Sequence, residues 1–196
     1  MEEGKIQQEL QKISGEGLLA GNTVVITDSE FASKLAERGY GIKVNSKLEL
    51  SLVEATYLVH RGILKVRNDK GEEIRFSDLV RLAAGQDLDF WLRLNVYADL
   101  RNRALIVRHG VHPHEFVIDW KKKNKPRRLL VRILCEGTKV GFPEFEEMFR
   151  RALESDRELV VAIVDKEGVV TYYLVEGGSY EQVSKGVEDS FEVSSE

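Results

Sequence analysis

Five short runs of apolar and β-branched residues fill the second half of the chain, and a single helical segment interrupts them. They are ALIVRH, EFVIDW and RLLVRILCE, then ELVVAIVD and VVTYYLVE. Runs of this length between turn residues are typical of strands. Pro143 stands between the third and fourth runs and favours the start of a helix, where a proline costs no hydrogen bond. The order predicts a mixed sheet packed by a helix.

The first half of the chain alternates short strands with short helices. Asp28 is placed to cap one helix, and Ser51 with Glu54 forms a capping box for the helix SLVEATYLVHR. The turn Asp69-Lys70-Gly71 separates two strand-like runs and indicates a hairpin, and Ser77 is expected to cap a further helix. This alternation predicts a second, separate sheet.

The whole chain is therefore predicted to have an α/β (α+β) fold in two domains. A small N-terminal α/β domain is expected over residues 1–86, and a C-terminal mixed-sheet domain packed by helices over residues 87–176. Residues 177–196 carry five acids and one lysine, which predicts an acidic C-terminal tail.

Composition limits the class of protein. Cys135 is the only cysteine, so an intrachain disulfide and a zinc-finger framework are excluded, and its apolar run predicts that it is buried. The polar N-terminus does not resemble a signal peptide, and no run of 18 apolar residues is present. We expect a cytoplasmic protein without a membrane segment.

Three stretches of the chain carry a family resemblance. They are LSLVEATYLVHRGILKV, FWLRLNVYADLRNRALIVRHG and ELVVAIVDKEGVVTYYLVE. In this order and spacing they resemble the archaeal tRNA-splicing endonucleases, over about residues 48–176. The middle block matches the family pattern at Tyr97, Asp99, Leu100, Arg101, Arg103 and Gly110.

The resemblance implies a nuclease-like C-terminal domain and a defined reaction. Members of the family assemble as tetramers, or as dimers of doubled subunits, and cut precursor tRNA at bulge-helix-bulge junctions. A tyrosine acts as general base on the 2′-hydroxyl, a histidine protonates the leaving oxygen, and a lysine stabilises the charge on the phosphate. The reaction needs no metal and no cofactor.

None of these three catalytic residues is found at its matching position. The family tyrosine ends the strand FVIDW, where this chain has Asp119, with Trp120 beside it. The histidine position falls near Pro126, and the lysine position at Arg157 or Glu158. The chain is therefore predicted to be a non-catalytic, structural subunit. It would pair with a catalytic subunit of the same fold in a two-plus-two heterotetramer.

Two further surfaces are predicted. The run KKKNKPRR suits contacts to the phosphates of precursor tRNA, and the resemblance adds an arginine of the following helix. The predicted RNA-binding residues are Lys121, Lys122, Lys123, Lys125, Arg127, Arg128 and Arg151. The resemblance also implies that an acidic turn docks on another subunit and that the last strand pairs with one. Those predicted interface residues are Asp165, Glu167, Tyr172, Tyr173, Leu174 and Val175.

Two alternatives stay open at this stage. The first is an active ribonuclease with a rebuilt site, in which Asp119 works with His112 or His114. The second is a stand-alone RNA-binding scaffold protein. His109, His112 and His114 lie close together in RHGVHPHEF and could bind a metal or supply an acid and a base. No metal and no cofactor is predicted, and the role of these histidines is left open.

Overall fold

The computed structural model describes residues 14–122 and 125–176, with the backbone alone at residues 121, 122 and 125. The chain divides into two compact units, one extending to Ala98 and one beginning at Asp99. Each unit is a mixed sheet with helices, so the predicted fold class is confirmed. The domain boundary after residue 86 stays a prediction, and the acidic tail 177–196 lies outside the described residues.

Between residues 14 and 89, the described part of the first unit has six strands and three helices. The strands are β1 Gly15–Ala20, β2 Thr23–Ile26, β3 Ile42–Val44, β4 Lys47–Ser51, β5 Leu64–Arg67 and β6 Glu73–Ile74. The helices are α1 Ser29–Glu37, α2 Leu52–His60 and α3 Phe76–Ala84. The sheet order is β3-β4-β2-β1-β5-β6, and β1 pairs with β5 in parallel. Alternate residues of β2 and β4 form its core.

Two of the three predicted helix caps are confirmed. Asp28 accepts a hydrogen bond from the backbone N–H of Phe31 at 2.7 Å. Ser51 and Glu54 form the predicted capping box, in which the Ser51 backbone N–H donates to Glu54 at 2.9 Å. The prediction for Ser77 was wrong, because the helix begins at Phe76 and Ser77 lies within its first turn.

The second unit is built on a five-stranded sheet. Helix α4, Phe90–Asn102, contains the boundary between the units. The strands are β7 Val107–His109, β8 Glu115–Lys122, β9 Lys125–Cys135, β10 Glu158–Val164 and β11 Val170–Val175, with helix α5 Phe142–Glu154 between β9 and β10. The sheet order is β11-β10-β9-β8-β7. Strands β9 and β10 are parallel and the other neighbours antiparallel, so the predicted mixed sheet is confirmed.

Helix α5 covers one face of this sheet. Pro143 lies in its first turn, as predicted, and its buried residues Met148 and Ala152 pack against Leu130, Leu159 and Val161. Because α5 connects two parallel strands, β9 and β10 begin at the same end of the sheet. This arrangement places the N-terminal ends of both strands beside the C-terminal end of β8.

The prediction that Cys135 is buried was wrong, because the residue is exposed. It shares a face of β9 with Val131 and Ile133, which are buried, but it is the last residue of the strand. At that position the strand has passed the part of the face that the core covers.

No helix in the part of the chain that the structure describes has both the length and the apolar character needed to cross a lipid bilayer.

Candidate functional site

The three positions at which the resemblance implies catalytic residues lie at one end of three adjacent strands. In the β8–β9 register, Asp119 lies directly opposite Arg128. In the β9–β10 register, Leu129 lies beside Glu158. Pro126 is also in β9, opposite Lys121. The sheet therefore brings together the positions that the sequence analysis treated separately.

Three arginines and three carboxylates occupy this end of the sheet, and we call them the ion-pair cluster. Its members are Arg127, Arg128, Arg157, Asp119, Asp156 and Glu158. Arg127 binds Glu158 with two N–H groups, one of them Nε at 3.0 Å from Oε1. Arg157 donates to Asp119 at 2.8 Å, and Arg128 donates to Asp156 at 2.7 Å. Each arginine of the cluster thus faces a carboxylate.

The surroundings of Asp119 make its carboxylate a poor general base. The hydrogen bond from Arg157 is the main cause that lowers its pKa, and the charges of Arg157, Arg128 and Arg108 lower it further against a smaller opposing effect of burial. An efficient general base has a pKa near the working pH, and a lower pKa means a weaker attraction for the proton. Asp119 is held as an ionised partner of arginine.

The other two positions are no better suited to the chemistry that the resemblance implies. The side chain of Pro126 can neither give nor accept a proton. The lysine position falls at Arg157 or Glu158: Arg157 is bound to Asp119, and Glu158 carries a negative charge, with both of its oxygens bound by Arg127. A carboxylate there would repel the phosphate of an RNA instead of stabilising it.

His114 lies far along strand β8 from Asp119. The carbonyl oxygen of His114 accepts a hydrogen bond from Ile133, so the β8–β9 ladder extends back to His114. Asp119 is five residues further along the extended chain, so the Cα atoms of the two residues are roughly 17 Å apart. The His109 ring packs against Phe116 with 5.5 Å between ring centres. In residues 14–122 and 125–176, no three His, Cys, Asp or Glu side chains are grouped so that they could hold a metal ion.

The predicted RNA-binding residues fall into two groups. Arg127 and Arg128 belong to the ion-pair cluster, where carboxylates already bind them. The lysine run is in the β8–β9 hairpin, where Lys122 lies opposite Lys125 in the backbone register. Lys123 lies outside the described residues. Contact with RNA by these residues stays a prediction.

Arg151 belongs to a buried ion pair that the sequence did not reveal. One N–H group donates to Glu115 at 2.6 Å and another donates to Glu147 at 2.9 Å. The Glu115 side chain is 3% exposed and the Arg151 side chain 22% exposed. Gly110 of the family motif packs against Glu115, since a Cβ atom on Gly110 would lie 2.7 Å from the Cβ atom of Glu115. Both charged side chains line a cavity of about 510 Å³ between α5 and the β7–β8 hairpin.

The predicted interface residues lie in a turn and in an edge strand. Asp165 accepts hydrogen bonds from the backbone N–H groups of Glu167 and Val169, at 2.9 and 2.8 Å, so it stabilises the turn itself. Glu167 is exposed. Strand β11 is at the edge of the sheet. Tyr173 is 42% exposed there, whereas Tyr172 and Leu174 are buried and Val175 is partly buried.

A contact between α4 and β11 was also missed by the sequence analysis. The hydroxyl group of Tyr172 donates to Asp99 at 2.7 Å, and Asp99 also accepts from Arg103 Nε at 2.9 Å. The guanidinium of Arg103 lies over the Tyr172 ring, 5.6 Å from its centre. Asp99 and Arg103 belong to the same motif at a four-residue spacing, which is the available sequence signal, but nothing in the motif points to Tyr172.

Both units match one family of RNA-processing nucleases. Residues 15–80 match the tRNA intron endonuclease N-terminal domain, and residues 90–172 match the tRNA intron endonuclease catalytic C-terminal domain. The chain therefore belongs to the tRNA intron endonuclease family, as the resemblance indicated.

Similar proteins come from several archaea. The tRNA-splicing endonuclease of Pyrococcus horikoshii is 35% identical over 159 residues, which is 81% of this chain and 93% of that protein. The tRNA-splicing endonuclease of Methanococcus vannielii is 34% identical over 79% of this chain and 89% of its own length. That of Methanothermobacter thermautotrophicus is 33% identical over 82% and 96%.

Proposed function

We propose that this chain is the structural, non-catalytic subunit of a tRNA-splicing endonuclease. It assembles with a catalytic subunit of the same fold into a two-plus-two heterotetramer, which removes introns from precursor tRNA at bulge-helix-bulge junctions in the cytoplasm. The chain uses no metal and no cofactor. In this proposal residues 1–86 form the N-terminal domain, residues 87–176 the endonuclease-like domain and residues 177–196 an acidic tail.

The ion-pair cluster is the observation that carries this proposal. A ribonuclease site of this type needs a base, an acid and a cation around one phosphate. At the matching positions this chain has Asp119 bound by Arg157, a proline, and, at the lysine position, Arg157 itself or Glu158 bound by Arg127. The loss of proton transfer and charge stabilisation together corresponds to roughly 10⁴–10⁷-fold in rate.

The remaining surfaces supply what a structural subunit needs. The exposed Glu167, in a turn that Asp165 stabilises, offers a negative charge for docking on a basic partner surface. The edge strand β11 offers backbone groups for pairing with another subunit. The lysine run, residues 121–125, is the stronger candidate for phosphate contacts, because the nearby arginines are already bound to carboxylates.

A catalytic chain is the second candidate. The relatives are named tRNA-splicing endonuclease and match most of the chain, which favours a protein that cleaves RNA itself. A rebuilt site would have to join Asp119 with His112 or His114. The ladder distance of roughly 17 Å from His114 opposes this arrangement, since an acid and a base must both reach one phosphodiester.

The test uses the full chain, purified alone and co-expressed with a catalytic subunit from the same genome. Each sample is measured for mass and for cleavage of a precursor tRNA between pH 5 and 9 with a metal chelator present. We expect no cleavage by the chain alone, and cleavage to a 2′,3′-cyclic phosphate by the complex. The catalytic subunit alone is the control.

Three results separate the alternatives. Cleavage by the isolated chain that is lost on Asp119→Asn would show a rebuilt active site and overturn the proposal. Failure to form a complex, with RNA binding retained, would show a stand-alone scaffold. Full activity of the catalytic subunit alone would show that cleavage of precursor tRNA does not require this chain.

A further inference from the structure

We infer that Asp99, Arg103 and Tyr172 form a clamp that holds the edge strand β11 in the conformation needed to pair with another subunit. This inference rests on the proposed role in assembly and deepens it, because it names positioning residues for that interface.

The clamp joins elements far apart in sequence. Asp99 and Arg103 come from the end of α4 and the residue that follows it, whereas Tyr172 is within β11. The Tyr172 hydroxyl donates to Asp99 at 2.7 Å, and the carboxylate is shared with Arg103, whose two N–H donors lie at 2.9 and 3.4 Å. Hydrogen bonds to a charged acceptor are stronger than neutral ones.

The position of Tyr172 shows why such a clamp acts on the edge. The Tyr172 side chain is 6% exposed, and its neighbours Thr171 and Tyr173 are exposed on the opposite face of the strand. One anchored side chain in the middle of a strand therefore fixes which residues face outward. A slip of one residue would reverse both faces.

Strand β11 depends on such an anchor more than the interior strands do. Within the described residues it pairs on one side only, with β10, whereas β9 pairs with β8 and β10. Edge strands with one neighbour open locally more easily than strands in the middle of a sheet. A strand that is already ordered also loses less entropy when a second strand pairs with it.

The experiment compares Tyr172→Phe with the matched control Thr171→Val in the full chain. Both changes remove one hydroxyl from adjacent positions of β11, one buried and one exposed, and Thr171 is not among the predicted interface residues. Amide hydrogen exchange is followed in β11 and β9, and affinity for the catalytic subunit is measured where all variants are folded. We expect Tyr172→Phe to raise β11 exchange and weaken assembly, each roughly tenfold, with β9 unchanged. The control should resemble wild type.

A second variant, Asp99→Asn, tests the pairing directly. It keeps the size of the side chain and removes the charge that Tyr172 and Arg103 share, so its loss should be at least as large as that of Tyr172→Phe. The double variant should be no worse than Asp99→Asn alone, because in that variant the Tyr172 hydroxyl has already lost its charged acceptor. Additive losses would overturn the clamp.

The outcomes also separate this inference from the proposed function. If β11 exchange is the same in Tyr172→Phe as in wild type, the clamp is wrong, whatever the partner does. If β11 exchanges faster but assembly is unchanged, the role in assembly is wrong and the subunit forms its complex by other contacts. If even wild type does not bind the catalytic subunit, the proposed function fails, and the exchange result still decides the clamp.

Discussion

Arg151→Ala is expected to destabilise the second unit strongly, although the resemblance makes Arg151 a candidate for RNA binding. The physical reason is its partner. Glu115 is 3% exposed, and its carboxylate is bound by Arg151 at 2.6 Å. Without the arginine, a carboxylate stays buried without this ion-pair partner, or must take up a proton to remain in the protein interior.

The magnitude follows from the burial of the two partners. Removing one partner of a buried ion pair costs about 3–5 kcal/mol. Arg151 keeps 22% of its side chain in solvent, so water screens the pair in part and the lower end of that range, about 3 kcal/mol, is expected. For a unit of this size, about 3 kcal/mol corresponds to a fall in Tm of roughly 12–24 °C.

Arg150 provides the matched control. It is adjacent in α5, carries the same charge, and pairs with Glu154 at 2.6 Å, but its side chain is 59% exposed. Exposed pairs of this kind contribute about 0.3–0.5 kcal/mol. Urea unfolding should be followed by far-UV circular dichroism and by tryptophan fluorescence in a Trp91→Phe background, where Trp120 is the remaining tryptophan and reports on the second unit. Arg150→Ala should lie within about 0.5 kcal/mol of wild type.

Two results would refute the reasoning. One is an Arg151→Ala protein as stable as Arg150→Ala. The other is a double variant, Glu115→Gln with Arg151→Met, that is no more stable than Arg151→Ala alone. The double variant removes both charges and should recover part of the loss, because a neutral pair of similar size leaves no buried charge.

Three other predictions concern assembly, RNA and pH. Glu167→Lys should weaken the heterotetramer in gel filtration without unfolding the chain, because Asp165 still holds the turn; an unchanged tetramer at low micromolar concentration would contradict it. Replacing Lys121, Lys122 and Lys123 with Ala should reduce the slope of log binding constant against log salt concentration for precursor tRNA by about 2–3. Equal slopes for wild type and the triple variant would show that these lysines make no phosphate contacts. Burial, with the charge of Asp99, raises the pKa of Tyr172 far above its usual value. The contribution of its neutral form to stability is therefore fully present below about pH 10 and lost above it. The difference in unfolding free energy between wild type and Tyr172→Phe should be constant below pH 10 and shrink above it; no change across that range would contradict the burial.

Local features of the fold could be predicted because short-range chemistry determines them. The capping box of Ser51 and Glu54 involves residues three apart, and so does the cap in which Asp28 accepts from Phe31. The cap assigned to Ser77 failed because the helix begins two residues earlier than that cap requires, at Phe76, with Arg75 as its N-cap. The exposure of Cys135 depends on where β9 ends. An apolar run in the sequence does not show which of its residues is the last one that the core covers.

The candidate site was predicted in its position but not in its contacts. The sequence located Asp119, Pro126 and Glu158 as the unusual positions. It could not show that Arg157 reaches Asp119 across 38 residues or that Arg127 reaches Glu158 across 31. Such pairs depend on the register between strands, which is set by the packing of the whole sheet. The same holds for Tyr172 and Asp99, which are 73 residues apart.

The ion-pair cluster also affects how such a chain could change over generations. A mutation that placed tyrosine at position 119 would separate Arg157 from its carboxylate, and a lysine at position 158 would face Arg127 directly. Each such substitution would therefore be unfavourable until the arginine beside it had also changed. The reason is that like charges in contact repel, and an arginine that loses its carboxylate loses its hydrogen bonds as well. The order of mutations would matter more than their number. Under the proposed non-catalytic role, a lineage with mutually bound arginines and carboxylates at these positions has few viable single-step paths to cleavage.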